Sequence, residues 1–193
     1  MNTVAQPNSR AYLTNDHQLL GAAGTYFVMS ELSARGYHAS CMFGNAPHVD
    51  ILVSSSDGAR SIAIQVKTTA LAKRWTRKRK EVKKLTQLQW YLGRKAAKAN
   101  LKGLFVVFVD FDKGSASPLT DCYVVPSSFI YEFCKSWIDD SDKNKMVRLH
   151  ISPAQIEQYR GAWDLIRDAL KETEPNQVLQ PAAAALGISA ATE

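Results

Sequence analysis

Residues 49–69 read VDILVSSSDGARSIAIQVKTT, two apolar-rich runs separated by the pair Asp57-Gly58. Asp-Gly between such runs is a strong signal for a tight β-hairpin turn. A turn at this pair places Val53 opposite Ile62, Ile51 opposite Ile64 and Val49 opposite Val66. One face of the hairpin then carries only β-branched apolar side chains, and a slip of one residue would divide this set between two faces. The sequence therefore predicts both the hairpin and its register.

The other face of the predicted hairpin is polar at its open end. The same pairing sets Asp50 opposite Gln65, and His48 opposite Lys67. A carboxylate, an amide, an imidazole and an ammonium group therefore converge where the two strands part. For His48, a hydrogen bond to the backbone at the hairpin end is the plainer interpretation.

The segments on both sides of the hairpin predict an α/β domain. Apolar residues at helical spacing predict a first helix over residues 15–35, stopped by Gly36, and a basic helix over residues 81–100. The near-continuous apolar run 104–109 predicts a strand buried on both faces, with the basic helix as the crossover onto the same sheet. The other predicted elements are strands at 37–43, 122–125 and 146–151 (an edge strand), a helix at 127–137 capped by Ser127, and a last helix at 152–171. We expect a central mixed β-sheet flanked by helices.

Length and composition fit one compact domain with two tails. The chain has 193 residues, 46% of them hydrophobic, and no apolar run approaches the roughly 20 residues of a membrane-spanning helix. We expect an N-terminal arm at residues 1–14, the domain at 15–171 and a mobile tail at 172–193. The N-terminus has no basic-then-apolar signal pattern, which indicates a cytoplasmic protein without membrane contact. The three widely spaced cysteines form no zinc or redox motif.

Charge is distributed unevenly along the chain. Residues 73–102 hold twelve basic residues and a single acid, Glu81, and so carry a charge of +11 in a chain whose net charge is +6. A basic block on a mildly acidic body is the electrostatic footprint of a protein that binds nucleic acid, although a solvated, Lys-rich helix face has the same composition. Trp75 and Tyr91 lie in or beside the block, where aromatic rings can stack on unpaired bases. For Trp90, core packing is the favoured role.

The predicted order of helix, strand, hairpin, helix and strand (αβββαβ) resembles the core of the PD-(D/E)XK nuclease superfamily, the restriction-endonuclease-like fold. Such a core carries Asp on the first hairpin strand and polar-x-Lys on the second. The likeness is carried by residues 21–24 (GAAG), 44–52 (GNAPHVDIL) and 64–69 (IQVKTT). More closely, the chain is similar to a group of small bacterial proteins that share the glycine-rich helix, the Asn-Ala-Pro loop and the IQVKT strand. The resemblance covers roughly residues 16–126.

The resemblance implies hydrolysis of DNA phosphodiesters that depends on Mg²⁺ or Mn²⁺. Asp50 would be the metal ligand, Gln65 would offer its amide oxygen at the second acidic position, and the carbonyl of Val66 would complete that edge. Lys67 would orient the attacking water and offset negative charge in the transition state. Asp50, Gln65 and Lys67 are therefore the implied catalytic residues, and Thr68 and Thr69 would donate to a phosphate oxygen. Contacts to the DNA backbone would come from Lys73, Arg74, Arg77, Lys78, Arg79, Lys80, Lys83 and Lys84, with little reading of base sequence.

Two departures from the family pattern keep an alternative open. Related sequences usually carry Glu directly after the second glycine of the first helix, where this chain has Thr25, and Gln65 removes another formal charge from the metal site. Glu31 lies about 240° further around the helix and cannot replace it on the same face. The implied function is a metal-dependent DNA endonuclease in phage defence or in a mobile element. The alternative is a catalytically inactive DNA-binding or protein-interaction subunit of the same fold. Restriction-like enzymes often act as dimers, so a homodimer or protein partner is compatible with either, although the sequence identifies no interface.

Overall fold

The computed structural model describes residues 13–42, 49–76, 84–112, 120–136, 138 and 146–172. The predicted N-terminal arm and C-terminal tail lie mostly outside these residues. The helices are α1 (His17–Ala34), α2 (Arg94–Lys98), α3 (Ser127–Cys134), α4 (Pro153–Ile156) and α5 (Asp164–Glu172), with a 3-10 turn at Glu157–Tyr159. The strands are β1 (His38–Cys41), β2 (Ile51–Ser54), β3 (Ser61–Thr69), β4 (Lys73–Trp75), β5 (Leu85–Gly93), β6 (Leu104–Asp110), β7 (Asp121–Pro126) and β8 (Met146–Ile151). No helix among the described residues is long and apolar enough to cross a membrane.

The main sheet confirms the predicted α/β class. Its five strands are ordered β1-β2-β3-β6-β7, antiparallel except for the parallel pair β3 and β6. The predicted hairpin register is confirmed, because Ile51 pairs with Ile64 and Val53 with Ile62. The predicted two-residue turn is wrong: the last backbone bond joins Ser55 N to Arg60 O at 2.9 Å, which leaves a four-residue loop. Asp57 holds this wider loop because its carboxylate accepts from Ser55 Oγ and from Ala59 N.

The predicted basic helix at residues 81–100 is wrong. Residues 85–93 form strand β5, and within the described part of this range, residues 84–100, only the five residues of α2 are helical. Leu88, Trp90 and Leu92 are all buried, the period-2 spacing of a strand face. Because β5 pairs with β4 on one side and β8 on the other, a second, three-stranded sheet replaces the long crossover helix.

Two other local predictions fail for identifiable reasons. Ser127 does not cap α3. Its hydroxyl instead accepts from Leu101 N at 3.1 Å and donates to Leu101 O at 2.8 Å, tying the helix to the turn before β6. The predicted last helix breaks between α4 and α5, where Arg160 forms a bridge with Tyr123 and Gly161 has φ +57°.

The main sheet separates two hydrophobic cores. On one face, Ile51, Ile64 and Val107 pack against α1 and α5, with Trp163 buried beneath Arg35. On the other face, Val106 and Phe108 pack against the second sheet, α2 and α3. Trp90 lies fully buried in that second core, as its favoured role required, but it does so from a strand. Strand β6 contributes to both cores and is buried along its whole length.

Helix α1 approaches β3 closely at one glycine. A Cβ atom on Gly24 would overlap Thr68 Oγ1, whereas a Cβ atom on Gly21, one turn earlier, would meet nothing within 4 Å. The two glycines of the motif therefore differ in their packing: a side chain has room at position 21 but not at position 24.

We predict that Gly24→Ala destabilises the protein by about 1–3 kcal/mol, the usual cost of forcing an extra methyl group into a packed contact. Gly21→Ala is the matched control. We expect it to stabilise the protein by about 0.5–1 kcal/mol, because alanine gives the unfolded chain less conformational freedom than glycine and meets no steric clash at this position. Urea unfolding of the two variants measures both effects. Equal stability of the two would show that α1 does not rest on Thr68 as described.

Candidate active site

The polar end of the hairpin lies where β2 stops and β3 continues. Asp50 N donates to Ile64 O at 2.9 Å, although Ile64 is already the register partner of Ile51, so two residues face one as in a β-bulge. Asp50 Oδ2 then accepts from Val66 N at 2.7 Å. The Asp50 carboxylate thus accepts the hydrogen bond from Val66 N that the backbone of a regular β2 would have accepted. Asp50 is therefore displaced from the predicted position opposite Gln65 but is fixed beside β3.

Val66 and Lys67 lie beside this carboxylate, and Gln65 precedes them in β3. The backbone N–H and C=O groups of alternate residues in a strand point to the same neighbouring strand. Ile64 O and Val66 N both bond to Asp50, so the carbonyl of Val66 is directed to the same side. Gln65 Oε1 is buried and has no hydrogen-bond partner among the described residues. His48, the fourth predicted member, lies outside those residues.

Lys67 is half-buried on the same face of β3 as Gln65, next to Phe108 of β6. Burial lowers the pKa of its ammonium group, and the negative charge of Asp50 partly opposes this effect. A lysine in these surroundings combines a cation with a dry environment, where its charge acts strongly on anything bound nearby. The structure thus brings Asp50, Val66 and Lys67 together and places Gln65 on the same face of β3 as Lys67.

The two predicted phosphate-binding threonines lie in different surroundings. Thr68 points to the opposite face of β3 from Lys67, where its hydroxyl oxygen is buried against Gly24 and has no hydrogen-bond partner among the described residues. Thr69 Oγ1 accepts from Leu71 N at 3.2 Å and so supports the turn into β4. Thr68 is therefore turned away from the candidate site, whereas donation by the Thr69 hydroxyl to a phosphate stays a prediction.

Helix α1 adds no carboxylate to the site. Thr25 Oγ1 donates to Gly21 O within the helix, Glu31 pairs with Arg35 on the surface, and Asp16 caps the helix N-terminus. Among the described residues, no three His, Cys, Asp or Glu side chains come together as a metal-binding group. A metal at this edge would therefore rely on one carboxylate, an amide oxygen and a backbone carbonyl.

The sequence reasoning missed a buried carboxylate at the end of β6. Asp110 ends β6 and pairs with Thr69 in the parallel register. It is fully buried, and its Oδ1 accepts from Ala72 N at 3.1 Å and from Asp112 N at 3.0 Å. Burial raises the pKa of Asp110, with the two backbone donors acting against it. The available signal was an aspartate at the end of a fully apolar strand.

The predicted DNA-contacting lysine Lys73 has another partner set. Its Nζ lies 2.7 Å from Asp112 Oδ2 and 2.8 Å from Asp121 Oδ2, and Asp121 is also bound by Arg160. Burial would raise the pKa of Asp121, but the hydrogen bonds from Arg160 and Lys73 outweigh it and hold that pKa below its ordinary value. Lys73 is neutralised within the fold, so we exclude it from the DNA contacts.

The other predicted DNA contacts divide into basic residues that the structure describes and basic residues outside the described ranges. Arg74 donates to Gln89 Oε1 and to Leu71 O on the second sheet. Lys84 is exposed. Thr76 N donates to Lys84 O, and Lys84 N donates to Thr76 Oγ1, which brings together the two ends of the segment between β4 and β5. Arg77, Lys78, Arg79, Lys80 and Lys83 belong to that segment and lie outside the described residues.

Comparisons with known proteins leave the family open. No protein-family model and no curated protein matches the chain. Among solved structures, it is similar to a bacterial homing endonuclease, I-Ssp6803I, with a TM-score of 0.49 and 14% sequence identity over 82% of this chain and 97% of that one. At these values we draw neither family nor function from the likeness.

We predict that Asp50→Asn lowers the pKa of Lys67 further below its ordinary 10.5, because the substitution removes the charge that opposes the effect of burial. A carbon-detected NMR titration of the lysine side chains, assigned with Lys67→Arg, measures this shift. The folded state holds this proton less tightly than the unfolded chain. The contribution of Lys67 to the free energy of unfolding therefore increases as pH rises towards 10.5.

Asp168→Asn on the exposed side of α5 is the matched control for that titration and should leave Lys67 unchanged. A pKa of Lys67 that does not respond to Asp50→Asn would show that the two side chains are not electrostatically coupled.

Proposed function

We propose that the chain is a metal-dependent DNA endonuclease of the PD-(D/E)XK superfamily, acting in phage defence or in a mobile element. One observation carries the proposal. At the point where the hairpin ladder ends, a carboxylate anchored to Val66 N, an orphaned buried amide oxygen and a half-buried lysine share one edge of the sheet. These are the residues to which the family resemblance assigns the metal and the catalytic lysine.

The residues at this edge fit a hard divalent cation. Asp50 offers a carboxylate, Gln65 an amide oxygen without another described partner, and Val66 its carbonyl, all oxygen donors of the kind that Mg²⁺ or Mn²⁺ takes. When bound, such an ion supplies positive charge and makes a coordinated water more acidic. With a single carboxylate in the set, we expect weak affinity.

The protein groups themselves have separate tasks in phosphodiester hydrolysis. Asp50 is held by Val66 N, so its carboxylate keeps one orientation beside β3. Lys67 provides a fixed positive charge in a partly dry position, where it stabilises the negative charge that develops on the phosphate. Its ammonium group also donates hydrogen bonds, with which it can orient an attacking water.

A non-catalytic DNA-binding or protein-interaction subunit is the second candidate. The observation that favours it is that Asp50 belongs to no group of three or more His, Cys, Asp or Glu side chains among the described residues, while Thr25 bonds within its own helix and Gln65 is neutral. In this candidate the hairpin face is retained for architecture. Cleavage and binding experiments separate the two.

We predict cleavage of supercoiled or branched DNA in Mg²⁺ or Mn²⁺, and a loss of about 10²–10³-fold in rate for both Asp50→Ala and Lys67→Ala. Product formation on agarose gels at low and moderate salt measures the rate. Asp168→Ala and Lys171→Ala remove the same charges from exposed positions on α5 and should cut like the wild type. Absence of cutting by the wild type, or retention of cutting in both site variants, contradicts the catalytic proposal.

We further predict that the segment between β4 and β5 binds phosphates of the DNA backbone. Replacing Arg77, Lys78 and Arg79 with Gln should make the plot of log affinity against log salt shallower by about 0.9 for each phosphate that is no longer neutralised. The matched triple replaces Lys95, Lys98 and Lys102, at and beyond α2, and should change the slope less. Fluorescence anisotropy on a fixed duplex at several salt concentrations gives both slopes. Equal slopes for the two triples would remove this segment from the interface.

A further inference from the structure

The second sheet has an exposed face that the proposed active site does not use. Leu88, Trp90 and Leu92 of β5 turn inward to the core, as do the alternate residues of β8. Their strand neighbours turn outward. We call this surface the outer sheet face. It comprises Arg74, Gln87, Tyr91, Arg148 and His150, and Gln89 lies on the same side of β5 but is buried.

The outer sheet face is basic and lacks acids. Strands β4, β5 and β8 contain no Asp or Glu, while Arg74 and Arg148 contribute two guanidinium groups. Burial lowers the pKa of His150, and the positive charges of Arg148 and Arg74 lower it further, so all three groups are within electrostatic reach. A second copy laid on this face would set like charges against each other. The charge therefore favours an anionic partner over self-association.

Cross-strand contacts hold the polar side chains of this face in place. Arg74 Nε donates to Gln89 Oε1 at 2.9 Å, and His150 Nδ1 lies 3.3 Å from Gln87 Oε1. The guanidinium of Arg148 lies over the exposed ring of Tyr91, 5.3 Å from its centre. An ordered set of amides and guanidinium groups loses less side-chain freedom when it binds.

The sheet is also fixed relative to the catalytic strand. Only residues 70–72 separate β3 from β4, and Ala72 N is bound by Asp110 at the end of β6. Lys73, the first residue of β4, is bound by Asp112 and Asp121. Any ligand held on the outer sheet face is therefore held at a set position relative to Lys67.

We infer that the outer sheet face reads base edges in the major groove of duplex DNA, through Gln87 and Arg148 above all. The inference rests on the proposed function and names how its substrate is selected. Arginine pairs with the two acceptors of guanine and glutamine with the donor and acceptor of adenine, and strands of an antiparallel sheet fit the major groove. It replaces the expectation, drawn from the basic segment alone, that base preference is weak.

Selection of bound sequences from a randomised duplex library tests the inference, using the full chain with Ca²⁺ in place of Mg²⁺ so that binding is scored without cleavage. The wild type should enrich a defined base pattern. Gln87→Ala and Arg148→Lys should each lose the preference at one or two positions by roughly tenfold. Since neither variant changes the charge of the protein, affinity for a fixed, unselected duplex should stay within about threefold.

Arg60→Lys, in the loop at the other end of the hairpin, is the matched control and should enrich the wild-type pattern. The inference is overturned if the wild type enriches no pattern, if Gln87→Ala and Arg148→Lys both keep it, or if single-stranded or RNA libraries are bound more tightly than the duplex. Because the selection measures binding preference, its result can be interpreted whether or not the protein cleaves DNA. A failure of the nuclease proposal is thereby distinguished from a failure of this one.

Discussion

The parallel pairing of β3 with β6 is the constraint on which the rest of the structure depends. A parallel neighbour cannot be reached by a tight turn, so the chain from Ala70 to Gly103 must cross from one end of the sheet to the other. That crossover contains β4, β5 and α2, and β8 joins it to complete the second sheet. The same pairing brings the ends of β3 and β6 to one edge, where Thr69 lies opposite Asp110. The hairpin on the other side of β3 then places Asp50 near that edge.

The polar groups at this edge follow from an interruption in the ladder. If β2 continued in register past Ile51, its backbone would bond Val66 N, and the Asp50 side chain would be free to rotate. Because the strand departs at Asp50, the carboxylate itself satisfies Val66 N. A buried backbone donor must find an acceptor, so this bond fixes the side chain firmly. Because Val66 N needs an acceptor at this interruption, the orientation of the Asp50 carboxylate is fixed.

How much of this could be read from the sequence differs between the hairpin and the crossover. The hairpin register depends on residues close in sequence and on the alternation of Ile51, Val53, Ile62 and Ile64, so it was predictable. In β5, Leu85, Leu88 and Leu92 fit a helical spacing while Leu88, Trp90 and Leu92 fit a strand, an ambiguity that short apolar runs carry. Pairing with β8, far along the chain, decides for the strand, and no local window contains it. The bulge at Asp50 and the buried hydroxyl of Thr68 likewise depend on contacts between distant segments.

The basic block shows that a run of positive charge does not reveal the role of each residue within it. Lys73 and Arg160 face Asp112 and Asp121, so two cations balance two anions inside the fold. Removing Lys73 from water is costly alone, and the two carboxylates offset that cost by bonding its ammonium group. Asp110 lies beside this set, and its burial raises its pKa against the two backbone hydrogen bonds that it accepts. The run of positive charge that suggested a DNA-binding arm therefore includes one residue that holds the second sheet to the residues beside the ends of β6 and β7. The proposed contacts with DNA phosphates fall to the cations further along the block.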